Sequence, residues 1–68
     1  MKTIKIDLTP EMVERGELHN IISSQVRLIK PYEYGIILVN GDRLYQNTSN
    51  ESKQRLINKI ANEYIKEM

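Results

Sequence analysis

The sequence predicts an α+β fold: a small two-layer sandwich of order β-α-β-β-β-α, with a mostly antiparallel sheet and its helices packed on one face. Three observations predict it. Ile4, Ile6 and Leu8 alternate with Thr3, Lys5 and Asp7, the period-2 signature of a half-buried strand. The run Ile36-Ile37-Leu38-Val39-Asn40-Gly41-Asp42-Arg43-Leu44-Tyr45 sets a tight-turn pair between two strand-like segments. Asn and Gly both tolerate positive φ, so this is a hairpin signal. Leu56, Ile57, Ile60, Tyr64, Ile65 and Met68 recur at helical spacing and define one apolar stripe.

The elements follow in order. After the first strand, Thr9-Pro10-Glu11 reads as a helix start, with Thr9 as cap and Pro10 at the first helical position. Glu11 and Glu14 suit the positive end of the helix dipole. Residues 10–23 therefore read as helical, and Gly16 marks a place where the segment breaks or kinks. Ser23-Ser24 closes it. Val26 and Leu28 alternate with Gln25, Arg27 and Ile29, so residues 25–30 read as a second strand, ended by Pro31. The hairpin supplies strands over about 35–40 and 43–47. Thr48-Ser49-Asn50-Glu51 matches a capping box and opens a helix over 49–68 without glycine or proline.

The hairpin makes the sharpest claim. Its first strand is apolar at four consecutive positions, and successive side chains of a strand point to opposite faces. With either Asn40-Gly41 or Gly41-Asp42 as the turn pair, Ile37, Val39 and Leu44 share one face. Ile36, Leu38 and Tyr45 share the other. Both faces then need cover, and 68 residues supply little of it.

Composition narrows the class. The chain reads as a single domain over 1–68. It has no cysteine, which excludes disulfides and thiolate metal sites. Met1-Lys2-Thr3-Ile4-Lys5 does not resemble a secretion signal, and no apolar run approaches the roughly 18 residues of a membrane span. Both observations point to the cytoplasm. A chain rich in Ile, Lys and Asn, without Trp or Phe, suits A/T-rich codons, as in a low-GC bacterium, its phage or a mobile element.

Catalytic constellations are missing from the pattern. His19 is the single histidine and lacks a second ligand at metal-binding spacing. Ser23, Ser24, Asp7 and Asp42 have no triad context. Glu11, Glu14 and Glu17, three apart, read as a solvated acidic helix face. Gly16, Gly35 and Gly41 are isolated, so no phosphate loop is present, and Asn40-Gly41-Asp42 lacks the other oxygens of a calcium loop. The sequence thus predicts no enzyme, no cofactor and no metal.

Two binding surfaces remain. Ile36, Leu38 and Tyr45 form a candidate protein interface, for another protein or for a homodimer seam. The net charge of +1 says little, but Arg55, Lys59 and Lys66 fall along one side of the last helix with Asn62 between them. That ridge is a candidate nucleic-acid contact and the alternative reading.

Overall fold

The computed structural model describes residues 1–47 and 52–68. The chain runs β1 (Lys2–Ile6), α1 (Pro10–Glu14), α2 (Leu18–Val26), β2 (Gly35–Val39), β3 (Arg43–Asn47) and α3 (Lys53–Lys66). This is the small α+β fold that the periodicities predict. The capping box at Thr48 and Glu51 lies outside the described residues. Ser52 stands at the N-cap position of α3 in extended conformation, without a side-chain cap.

The break at Gly16 separates α1 from α2. Gly16 sits at φ +70°, its N–H bonds the carbonyl of Val13, and the N–H of Glu17 reaches back to Met12 at 2.9 Å. This pair of bonds is a Schellman ending, which needs a residue at ease in left-handed backbone. The turn takes Glu17 off the helix of Glu11 and Glu14, so the acidic face predicted across all three does not form.

The predicted strand over 25–30 is corrected. Residues 25 and 26 belong to α2, and the strand alternation yields to helical spacing. Leu18, Ile22, Val26 and Ile29 are all buried, at i, i+4, i+8 and i+11, while Leu28 is exposed. The serines do not stop the helix. Ser24 Oγ donates back to the carbonyl of Ile21, and Ser23 Oγ accepts from Arg27 Nε, which satisfies both hydroxyls within helical geometry.

Among the described residues, one sheet has the strand order β1-β2-β3. Its two pairings differ. β1 runs parallel to β2, from Lys2 opposite Gly35 to Ile6 opposite Val39. β2 and β3 form the antiparallel hairpin, from Gly35 opposite Asn47 to Val39 opposite Arg43. A parallel pair cannot be joined by a turn, and α1 and α2 make the crossover.

The hairpin register corrects the predicted faces. Asn40 (φ 52°) and Gly41 (φ 79°) both take positive φ, and the N–H of Asp42 bonds the carbonyl of Val39. Pairing resumes only at Arg43, so the loop holds three residues rather than two. One extra residue turns every following side chain to the opposite face. Ile37 therefore lies beside Tyr45, and Leu38 beside Leu44. Tyr45 is 7% exposed and joins the core, whereas Leu44 is 58% exposed.

All cover lies on one side. Ile4, Ile6, Ile37, Val39 and Tyr45 of the sheet form one buried cluster with Leu18, Ile22, Val26 and Ile29 and with Leu56, Ile57, Ile60 and Ala61 of α3. α2 packs against both β1 and α3. Gly35 belongs to this face for a steric reason. A Cβ there would clash with Cδ1 of Ile29, which is fully buried.

Candidate functional site

The other face of the sheet follows from the register. Thr3, Ile36 and Gln46 make one row across it, and Lys5, Leu38 and Leu44 make the next. Ile36 and Leu38 are half-buried by their neighbours alone, while Thr3, Lys5, Leu44 and Gln46 are exposed. The apolar centre thus sits on the middle strand, with β1 contributing polar side chains and β3 one leucine. Tyr34 precedes Ile36 and is also exposed. Its carbonyl accepts the N–H of Lys2.

Of the predicted interface, Ile36 and Leu38 share this open face and Tyr45 does not. Leu44 takes its place. The signal for Leu44 was in the sequence, but only as one of several possible loop lengths, since Asn-Gly serves two-residue and longer hairpin connections.

The hairpin tip is locked to the start of the chain. Asn40 N–H donates to the carbonyl of Ile6 at 2.8 Å. Its side-chain Oδ1 accepts the N–H of Leu8 at 2.6 Å, and its Nδ2 donates to the carbonyl of Leu8. The amide thus continues the parallel ladder past the end of β1, and Leu8, buried, extends the alternation of Ile4 and Ile6. Asn suits this position twice over: it tolerates left-handed backbone and presents a donor and an acceptor together.

The predicted nucleic-acid residues Arg55, Lys59 and Lys66 are all exposed on α3; Lys59 borders a shallow cleft with Leu44, Gln46 and Glu63, and Lys66 one with Arg43, Glu63 and Glu67. Arg43 Nη1 lies 3.4 Å from Glu63 Oε1, and Nη2 pairs with Glu67 Oε1. A shallow cleft at this junction is lined by Asn40, Arg43, Tyr45, Tyr64 and Glu67. Within it Arg43 and Glu67 are paired with each other. His19 is exposed on α2. Among the described residues no group of three or more His, Cys, Asp or Glu side chains gathers to hold a metal ion, and no helix is long and apolar enough to cross a membrane.

Comparison with known proteins returns no match: no family model, no curated protein and no solved structure is similar to this chain.

Proposed function

We propose that this chain is a small non-catalytic interaction module, that its working surface is the open face of the sheet, and that the occupant is a second copy of the chain. The observation that supports this reading is the uncovered row of Ile36, Leu38 and Leu44, set opposite a fully covered core face of the same three strands. Water against that row is costly, at about 25 cal/mol per Å² of apolar surface.

Self-association is favoured by how the face meets itself. A two-fold axis along the strands, midway between two stacked sheets, lays β1 of one copy over β3 of the other and β2 over β2. Ile36 and Leu38 then meet their own copies, the aliphatic stem of Lys5 covers Leu44, and Thr3 meets Gln46. No charge opposes a like charge, and each Lys5 ammonium remains at the wet rim. Sheets stack in this manner about 10 Å apart.

Size sets the strength. Three strands at about 4.8 Å and five residues at about 3.4 Å give a footprint near 240 Å² per copy. Stable interfaces need about 800 Å² per partner, so the pairing is weak and exchanges rapidly. Light scattering across a concentration series, from about 10 μM to 1 mM, tests it. The weight-average mass should rise towards that of two copies in the upper range. Leu38→Asp and Leu44→Lys, each folded by circular dichroism, should hold the mass at one copy. A wild-type mass that stays at one copy throughout would sink the proposal.

A further inference from the structure

The opposite surface of the molecule has a different chemistry. Gln54, Arg55, Asn58, Lys59, Asn62 and Lys66 are all exposed on α3. At 100° per residue they fill an arc of about 140° opposite the buried stripe of α3, whose Lys59 and Lys66 edge borders β3. Gln54, Asn58 and Asn62 form a row of amides, with Gln54 Nε2 donating to Asn58 Oδ1 at 3.1 Å. Arg55, Lys59 and Lys66 run beside them.

The fold adds a fourth cation. Arg27 follows the last residue of α2, and its Nη2 lies 3.5 Å from Gln54 Oε1. The neighbouring helix thus brings a guanidinium to the beginning of the amide row. Sequence alone placed Arg27 on a strand, from which it could extend the positive surface if it faced the same way.

The fold also engages the acids near the end of α3 with Arg43. α2 contains no carboxylate, and the one within α3 is Glu63. Helical spacing would set Glu63 beside Lys59 and Lys66. Instead Arg43 holds Glu63 and Glu67 toward β3. Among the described residues, Lys59 and Lys66 form no ion pair. Among the described residues, the remaining acids lie elsewhere: Asp7, Glu11, Glu14 and Glu17 before α2, Glu33 and Asp42 in the loops around β2.

We infer that the outward side of α3, with Arg27 beside it, binds duplex DNA, with α3 lying in the major groove. Lys and Arg neutralise phosphates, whereas Asn and Gln can pair with the adenine edge and Arg with guanine. An acidic protein would use the cations but has no need of three aligned amides. A lipid surface would require apolar side chains to insert, and this arc holds only Ile65 among six polar groups. A helix about 10–12 Å across fits the major groove of B-form DNA, about 12 Å wide, but not the narrow one of duplex RNA.

The test is fluorescence anisotropy with a labelled mixed-sequence DNA duplex of roughly two helical turns, beside the RNA duplex of the same sequence. Three or four neutralised phosphates predict an affinity about 40- to 150-fold weaker at 200 mM salt than at 50 mM. Binding to the RNA duplex should be at least about tenfold weaker. The double variant Arg55→Glu/Lys59→Glu should lose more than about tenfold in affinity with its melting temperature unchanged, because both side chains are exposed. Three results would overturn the assignment. One is absence of DNA binding at about 100 μM protein in 50 mM salt, the weakest range of non-specific association. Another is RNA binding equal to DNA, which would mean adhesion to any polyanion without groove recognition. The third is a double variant as tight as wild type, which would place the contact elsewhere on the chain. The sheet-face reading stands or falls separately, since none of these side chains lies on that face.

Discussion

The two faces of β2 are made of nearly the same material. Ile37 and Val39 point to one side, Ile36 and Leu38 to the other. The first pair is sealed under α2 and α3, while the second is shielded only by its neighbours in the sheet. What separates them is the supply of helical apolar surface. Leu18, Ile22, Val26 and Ile29 with Leu56, Ile57, Ile60 and Ala61 complete one core, and a chain of this length has no second set. A side chain's hydrophobicity therefore does not tell which face will be covered. The number of stripes available to cover it does.

The widest separation between the faces should come from paired truncations. Ile37→Ala removes a fully buried side chain and should cost about 3 kcal/mol, a large part of the total stability of so small a domain. Leu38→Ala, one residue away on the open face, should cost less than about 1 kcal/mol in the monomer. Urea titration of the two variants at low protein concentration checks the contrast. Equal costs would mean that the open face is not open.

Next in size is the tip that joins both faces to the start of the chain. Asn40→Ala should destabilise by about 2 kcal/mol, through positive φ on a residue with a Cβ and the loss of both bonds to Leu8. Asn40→Gly keeps the backbone conformation and should recover about half of that. A glycine variant no better than alanine would show that the side-chain amide carries the whole effect.

Gly35 tests how tightly the covered face is packed. Gly35→Ala should cost about 1–2 kcal/mol, because Ile29 must yield in a filled core. Combining it with Ile29→Val, which deletes the Cδ1 atom in the way, should cost less than the two changes added together. Additive costs would place the strain elsewhere. The smallest effect belongs to Arg43→Gln, whose half-exposed pairs with Glu63 and Glu67 should contribute no more than about 1 kcal/mol.

These contrasts also mark what the residues disclosed and what they concealed. The first strand, the break at Gly16 and the hairpin were legible from their periods and turn residues, and the last helix from its apolar period. The stretch around Val26 was not. Gln25 to Lys30 satisfies the strand period locally, and only the partnership of Val26 and Ile29 with Leu18 and Ile22 across the serines reveals a helix. Tyr45 and Leu44 exchanged faces because Asp42 joins the loop rather than the strand, a choice that the Asn-Gly pair leaves open. Arg27 could not be placed beside Gln54 until both helices were known to share a layer.

The parallel pairing of β1 with β2 has a consequence for how the chain assembles. The hairpin needs only near neighbours and closes within microseconds, but Lys2 must meet Gly35 and Ile6 must meet Val39. During synthesis, at about 5–20 residues per second, the first strand waits some 2–7 s for its partner to emerge. Throughout that wait Ile4 and Ile6 are an unpaired edge, the kind of segment that recruits foreign strands. Lys2 and Lys5 alternate with them, and lysine is a residue that deters such pairing. The charges that break up the apolar pattern of β1 thus act as guards for a strand that is made well before its partner.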